Sequence, residues 1–174
     1  MHALLAARNG RDLCGLVLAS AVGRRLGDVI REQLTGNPAN APLLPEAMRI
    51  LAELEAGRRV SGEGMNQALL PIFRPSIQPF MMSLLAVDPP ALARAYRGPI
   101  LVVGGTTDLQ TTIVDARRLA EARPGISLRV IEGMNHVLKI APAEMGPNFA
   151  TYADPDLPLA PGLVDAIAGF VIAN

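Results

Sequence analysis

The hydrophobic pattern of the chain combines short apolar runs with longer stretches of helical periodicity. Apolar runs cover about residues 13–20, 99–104 and 127–132, and they predict strands. The run at 13–20 is apolar throughout, and a strand of that kind belongs in a sheet that is covered on both faces. Helical periodicity over about 112–122 joins the second run to the third, and such a strand–helix–strand unit implies parallel pairing. The pattern therefore predicts an α/β fold with about three parallel strands and flanking helices.

Helices are also predicted at both ends of the chain. The first covers about residues 2–8, and we expect Asn9 and Gly10 to end it because these residues favour helix C-termini. The last covers about residues 161–172. We expect its inward-facing side chains to be Leu163, Ile167, Phe170 and Val171.

Residues 22–98 contain no comparable strand, and Pro and Gly divide them into helical stretches. The predicted helices are Leu26–Leu34, Pro45–Glu55, Met65–Phe73, Ser76–Val87 and Ala91–Tyr96. They could form a separate domain, but without strands of their own we expect a helical lid inserted into a partial α/β core of residues 1–21 and 99–174. Three methionines of the insert could line an apolar substrate pocket or pack inside it; they are Met65, Met81 and Met82.

Composition excludes several classes of function. Lys plus Arg equals Asp plus Glu, at 16 each, so charge does not favour a nucleic acid or a membrane surface as partner. No apolar run approaches the roughly 18 residues that a membrane span requires. The single cysteine, Cys14, excludes an internal disulfide and fits a cytoplasmic location. With two histidines and one cysteine, we expect neither a metal site nor a cofactor.

Two turns carry the candidate chemistry. The run beginning at Pro99 ends in Gly-Gly-Thr-Thr-Asp108, and the next run ends in Glu-Gly-Met-Asn-His136. Because the carboxyl ends of parallel strands lie at one edge of a sheet, we expect Asp108 and His136 to face each other within hydrogen-bond reach. An aspartate that orients a histidine supplies two of the three members of a nucleophilic triad.

Simpler interpretations of these residues stay open. Asp108 could cap the helix that follows it, since aspartate is a favoured N-cap residue. Four threonines could do the same: Thr106, Thr107, Thr111 and Thr112. Taken alone, His136 could be a surface residue. We expect Asp115 to be solvated within its helix, and the pair Arg24–Arg25 to belong to the solvated surface.

Together the two turns resemble the C-terminal half of an α/β-hydrolase-fold serine hydrolase, and the likeness covers nearly the whole chain. Residues 15–20 resemble the strand after the nucleophile helix of that family. Residues 73–80 resemble a lid element of bacterial serine aminopeptidases and lysophospholipase-like esterases. The resemblance implies that His136 is a general base and then a general acid, that Asp108 orients it, and that the lid selects the substrate.

The nucleophile of that family stands in a Gly-x-Ser-x-Gly elbow between a strand and a helix. None of the five serines in this chain has glycine at both the second position before it and the second after it: Ser20, Ser61, Ser76, Ser83 and Ser127. The helix at about 2–8 resembles the end of the helix that follows the elbow. We therefore expect the chain to begin downstream of its nucleophile.

Two functions are consistent with this sequence. The chain could be part of a hydrolase of small esters, amides or peptides that is inactive until another segment supplies the serine. It could instead be a non-catalytic fragment or a binding module for apolar ligands or a partner chain. In both cases we expect self-association, or pairing with an upstream fragment, through the strand at 13–20. A Gly-x-Ser-x-Gly motif encoded upstream would favour the hydrolase.

Overall fold

The computed structural model describes residues 1–8 and 13–174, so the predicted helix end at Asn9 and Gly10 lies outside the described residues. In chain order the helices are α1 (His2–Ala7), α2 (Leu26–Gly36), α3 (Leu44–Glu55), α4 (Leu70–Phe73), α5 (Gln78–Leu85), α6 (Pro89–Ala95), α7 (Ile113–Ala120), α8 (Met145–Ala150) and α9 (Leu163–Ala173). The strands are β1 (Leu16–Ala19), β2 (Ile100–Gly105) and β3 (Ile126–Ile131), and short 3-10 helices cover Pro38–Leu43, Gln67–Leu69 and Thr151–Ala153.

The chain divides into two compact units. The first comprises Met1–Arg24 and Pro89–Asn174, and the second comprises Arg25–Asp88. All three strands belong to the first unit, together with α1 and α6 to α9. No helix of the described chain is both long enough and apolar enough to cross a bilayer.

The sheet has the order β1-β2-β3, and both pairs of strands are parallel. The central strand β2 is buried at every position, which its continuous apolar sequence predicts. Strand β1 is shorter than the predicted run at 13–20. The α/β class with three parallel strands and flanking helices is therefore confirmed.

Helices cover both faces of the sheet at β2, whereas β3, at the edge of the sheet, is exposed from Ser127 to Val130. Successive side chains of a strand point to opposite faces. Ile100 and Val102 accordingly pack in a cluster with residues of α1, α6 and α7, whereas Leu101 and Val103 pack with Leu163 of α9. Each such aliphatic side chain stabilises the fold by about 1.5–3 kcal/mol when it is fully buried. The burial of β2 therefore anchors the first unit.

Helix α9 corrects one prediction. Leu163 is buried, and Ile167 and Phe170 pack against the same core, as expected. Val171 was predicted to face inward, but 63% of it is exposed. At about 100° per residue, Val171 lies about 80° around the helix from Leu163, beyond the edge of the buried stripe.

An ion pair within the first unit corrects two further predictions. The Arg24 guanidinium donates to both carboxylate oxygens of Asp115, at 3.0 and 3.1 Å, and the Gly23 N–H donates to Oδ1 at 3.0 Å. Asp115 is fully buried, and the Arg24 side chain is 14% exposed. The expectation that Arg24 and Asp115 are solvated is therefore wrong. Their hydrogen bonds to each other replace the bonds to water that both groups lose when they are buried. A Cβ atom on Gly23 would lie 1.9 Å from the Asp115 carbonyl oxygen, so this approach requires glycine.

The second unit, residues 25–88, has its own hydrophobic core. Its buried residues are Leu34, Ala47, Ile50, Leu51, Leu54, Met65, Leu69, Phe73 and Leu85. Met81 and Met82 pack against this core, which favours packing rather than a substrate pocket as the role of these methionines. The fully buried Gln78 donates to the carbonyl oxygens of Val60 and Phe73, at 2.9 and 2.8 Å. The role of the insert as a lid stays a prediction.

The Arg24–Asp115 pair generates a first prediction. In Asp115→Ala the largely buried Arg24 guanidinium loses its two bonds to this carboxylate and the Gly23 N–H loses its acceptor, so we expect the free energy of unfolding to fall by about 3 kcal/mol. Urea denaturation at neutral pH measures this change. Asp165→Ala removes an exposed aspartate from α9 and should change the same quantity by less than about 0.5 kcal/mol. Equal effects of the two substitutions would contradict the prediction.

The outer edge of β1 generates a second prediction. Within the described residues β1 pairs with β2 alone. The N–H groups of Leu16 and Ser20 donate to the β2 side, so those of Val17 and Ala19 point outward. Unpaired groups along an apolar strand are a template for another chain. We therefore expect self-association that increases with concentration, measured by light scattering.

A matched pair of variants tests the edge itself. Val17→Pro removes one outward N–H and leaves the bonds from Leu16 and Ser20 in place, so it should reduce self-association. Val17→Ile keeps the N–H and should associate like the parent chain. A parent chain that stays monomeric at every concentration, with cooperative unfolding, would show that this edge does not drive association.

Candidate active site

The turn after β2 is tied to the end of β3. The Thr106 N–H donates to the Ile131 carbonyl, and the Thr107 N–H donates to the Met134 carbonyl, both at 3.2 Å. A Cβ atom on Gly105 would lie 1.9 Å from the Met134 carbonyl oxygen. Glycine at this position therefore lets the turn that carries Asp108 meet the loop that carries His136.

His136 lies at the tip of a narrow loop after β3. The loop begins at Gly133, whose φ of 69° is easily adopted by glycine. Met134 and Ile140 form an antiparallel bridge, and the Asn135 N–H donates to the Lys139 carbonyl at 2.9 Å. The two sides of the loop are thus bonded to each other, which restricts the position of His136.

The structure brings together the two residues that the sequence singled out. His136 Nδ1 lies 3.1 Å from Oδ2 and 3.2 Å from Oδ1 of Asp108. The Asp108 side chain is fully buried, whereas that of His136 is 29% exposed. The ring therefore has one nitrogen against a buried carboxylate while part of the side chain reaches solvent.

The Asp108 carboxylate also organises its own turn. Its Oδ1 accepts from the N–H groups of Gln110 and Thr111, both at 2.9 Å, and its Oδ2 accepts from the Thr111 hydroxyl at 2.9 Å. Thr112 is the N-cap residue of α7, and its side chain makes no capping bond. Asp108 is therefore not the N-cap of α7: it binds backbone N–H groups of the turn before that helix, and it contacts His136.

The ionisation of Asp108 reflects competing effects. Burial by itself raises the pKa of this carboxyl group. The hydrogen bond from His136, the N–H groups of Thr111 and Gln110, and the charge of His136 together lower the pKa more than burial raises it, so the pKa lies below its ordinary value. At neutral pH Asp108 is therefore ionised and accepts the proton carried by Nδ1 of His136.

This arrangement leaves Nε2 of His136 as the chemically available nitrogen. When Nδ1 of the neutral ring carries the proton, Nε2 has a lone pair that can accept another. In the part of the chain that the structure describes, nothing hydrogen-bonds Nε2. The pair Asp108–His136 can therefore act as an oriented general base.

Among the described residues of the first unit, no hydroxyl group hydrogen-bonds Nε2 of His136. The Thr111 hydroxyl lies 3.3 Å from His136, but at Nδ1, and it donates to Asp108. Ser20 and Ser127, the serines of the first unit, make no hydrogen bond to His136 in the described structure. Ser20, at the end of β1, has a buried hydroxyl without a partner in the described structure.

The described residues also contain no cluster of three or more His, Cys, Asp or Glu that could hold a metal ion.

The sequence analysis did not predict the residues that surround the Asp108–His136 pair, which we call the dyad. Thr111 was considered only as a helix cap. Asn148, Thr151 and Tyr152 were not considered, because the run 145–150 contains Gly and Pro and does not suggest a helix. The Tyr152 hydroxyl accepts from Gln110 Nε2 at 3.2 Å, and burial raises the pKa of this phenol. The one sequence feature that could have indicated a polar network here is Asn135, which directly precedes His136.

Comparisons with known proteins find solved structures of hydrolases that are similar to this chain. Neither a family model nor a curated protein matches its sequence. A thermophilic esterase from Thermogutta terrifontis matches at a TM-score of 0.49 and 16% identity, over 98% of this chain and 61% of the esterase. An alpha/beta fold family hydrolase from Bacillus anthracis gives 0.45 and 16%, over 77% and 56% of the two chains. The chain is similar in structure to these α/β hydrolases.

An esterase from Rhodococcus matches at a TM-score of 0.37 and 24% identity, over 76% of this chain and 52% of the esterase. The chain thus spans between 52% and 61% of the lengths of these three structures. At identities of 16–24% the similarity concerns the fold.

Asp108 generates a pH-dependent prediction. Because its pKa is lower in the folded chain than the ordinary value of about 3.9, its carboxylate stabilises the fold above that pH, and this contribution disappears as the pH falls through the lower, native value. We expect Asp108→Asn to lower the free energy of unfolding at pH 7 by about 1–3 kcal/mol. The difference between the two chains should shrink below about pH 4.

Urea denaturation at pH 7 and at pH 3 measures this difference. Asp165→Asn, at an exposed site on α9, is the matched control and should differ little from the parent at both pH values. A parent–Asp108→Asn difference that stays constant between pH 7 and pH 3 would show that the Asp108 carboxylate does not stabilise the folded state.

Proposed function

We propose that this chain carries the acid and the base of a serine hydrolase that acts on small esters, amides or peptides. The observation that carries the proposal is the contact at 3.1 Å between the buried Asp108 carboxylate and His136 Nδ1. In this proposal the nucleophilic serine is supplied by a segment outside the 174 residues. The reaction needs no cofactor.

The chemistry follows from the two nitrogens of His136. Nε2 takes the proton from the serine hydroxyl as its oxygen attacks the substrate carbonyl, and His136 then returns this proton to the leaving alkoxide or amine. During the step the ring is an imidazolium, and the Asp108 carboxylate stabilises its charge and fixes its orientation. Because that carboxylate is buried, solvent screens its attraction to the imidazolium only weakly.

The insert of residues 22–98 has a proposed role as the lid that selects the substrate. A lid can exclude water from a hydrolytic site and contact the substrate on one side. We also propose a cytoplasmic location, because the single cysteine, Cys14, is exposed and is a free thiol.

A non-catalytic binding function is the second candidate, and two surface features favour it. Strand β1 pairs with β2 alone among the described residues. Helix α9 exposes Val164, Val171 and Ile172. A partner chain that adds a strand beside β1 and covers such side chains would bury apolar surface. The partner would be a second copy of this chain or an upstream fragment.

Ester hydrolysis tests the proposed function. We expect the purified chain to hydrolyse p-nitrophenyl acetate no faster than buffer, because in this proposal another segment supplies both the serine and the donors for the developing oxyanion. Co-expression with the polypeptide encoded directly upstream should restore turnover if that polypeptide supplies the serine.

Substitutions of His136 and Asp108 test whether any activity of the co-expressed preparation depends on these two residues. His136→Ala should abolish the turnover, and Asp108→Asn should reduce kcat on the order of 10⁴-fold, as loss of the orienting carboxylate does in serine proteases. His2→Ala, which removes the other histidine, should leave the turnover unchanged. Turnover by the chain alone that survives His136→Ala would overturn the proposal. If neither preparation hydrolyses the ester, the binding function is favoured.

A further inference from the structure

Two asparagines next to the dyad are buried, and the mechanism above does not use them. Asn135 directly precedes His136, and Asn148 lies in α8. Both have no exposed surface. A buried amide is costly unless its donors and acceptors are paired, so the partners of these two side chains show what holds them there.

Asn135 uses every hydrogen-bonding position of its side chain. Its Oδ1 accepts from the N–H groups of Val137 and Lys139, at 3.2 and 3.1 Å. Its Nδ2 donates to Thr151 Oγ1 at 2.7 Å and to Asn148 Oδ1 at 3.5 Å. The side chain therefore fixes the backbone on the far side of His136 and ties the loop to the segment that contains α8.

Asn148 continues the connection toward Asp108. Its Nδ2 donates to the carbonyl oxygens of Thr107 and Pro142, at 2.9 and 2.7 Å. The Thr107 carbonyl belongs to the peptide bond that leads into Asp108. The Thr151 hydroxyl closes the network because it donates to the Asn148 carbonyl at 2.7 Å. Hydrogen bonds thus run without a break from the residue before His136 to the residue before Asp108.

We infer that the hydrogen-bonded chain Asn135–Thr151–Asn148 positions the His136 imidazole against Asp108, so that Nδ1 carries the ring proton and Nε2 stays free to accept one. The inference rests on the proposed function in taking the dyad as the catalytic pair. None of the three side chains contacts Nε2, so they are positioning residues. A base is effective only when its geometry is held closely, and a network whose members are all satisfied provides that rigidity.

Substitutions at Asn148 and Thr151 can remove individual hydrogen bonds of this network. Asn148 donates twice to carbonyl oxygens, so Asn148→Asp places a carboxylate against those oxygens and removes both donors. Thr151 both accepts and donates, so Thr151→Val removes the two shortest links between Asn135 and Asn148 with almost no change of shape and leaves only the 3.5 Å contact between the two amides. Thr151→Ser keeps the hydroxyl and should preserve the network.

The tautomer of His136 is the readout that separates positioning from stability. The 174-residue chain is labelled with ¹⁵N-histidine and studied by NMR, with magic-angle spinning if the sample self-associates. The two histidines give two sets of signals, and His2 supplies the reference in the same sample. We expect neutral His136 to carry its proton on Nδ1, with a downfield hydrogen-bonded resonance, in the parent chain and in Thr151→Ser.

In Thr151→Val and in Asn148→Asp we expect that resonance to be lost and the tautomer population to shift toward Nε2–H. Gln78→Leu, which removes a buried amide from residues 25–88, controls for loss of stability and should keep the parent signal. The inference is overturned if Thr151→Val keeps the parent signal, or if Gln78→Leu loses it to the same extent. Since Thr151→Val is nearly isosteric, it decides the matter even if Asn148→Asp fails to fold.

This result is independent of the proposed function. If co-expression never yields ester hydrolysis but the tautomer shifts as expected, the positioning network stands and the catalytic role of the dyad fails. If hydrolysis depends on His136 but Thr151→Val leaves both the tautomer and kcat unchanged, the catalytic role stands and the positioning network fails.

Discussion

Parallel pairing of β2 with β3 is the constraint on which the candidate site depends. Side chains of β2 are buried on both faces of the sheet, which fixes where this strand ends. Because β3 runs in the same direction and Gly105 pairs with Ile131, both strands end at one edge. Asp108 follows three residues after one end, and His136 five residues after the other. Their contact therefore results from strand packing rather than from attraction between the two side chains.

Polar groups buried near this edge are retained because each is paired. Asp108, Asp115, Asn135 and Asn148 all have little or no exposed surface, and each binds backbone groups as well as side chains. An unpaired buried group of this kind would cost about 1–3 kcal/mol, and more if charged. Their hydrogen bonds replace those to water. They also fix the loops beyond the edge of the sheet, where the backbone hydrogen bonds between strands have ended. Local order at the site therefore comes from side chains.

The sequence was sufficient where structure is local. The strands β2 and β3, the helix between them and the turns with Asp108 and His136 follow from periodicity and turn residues. It was insufficient where partners are far apart: Arg24 and Asp115 are separated by 91 positions, and no local pattern reveals that they pair. Helix α8 was missed because its sequence, Met-Gly-Pro-Asn-Phe-Ala, has low helical propensity and is held by the contacts of Asn148 instead.

The electrostatics of the dyad determines which of its two groups donates the shared proton and which accepts it. Burial alone would favour a neutral Asp108, and a neutral carboxyl group could donate a proton to His136 rather than accept one. The hydrogen bond from His136 opposes this effect of burial most strongly, and the N–H groups of Thr111 and Gln110 add to it, so that together they keep the pKa of Asp108 below its ordinary value. The carboxylate can then hold the proton of His136 on Nδ1, which leaves the lone pair on Nε2 as the acceptor. The backbone contacts that shape the turn before α7 thus help to keep Asp108 ionised, and the ionised carboxylate holds the ring proton on Nδ1.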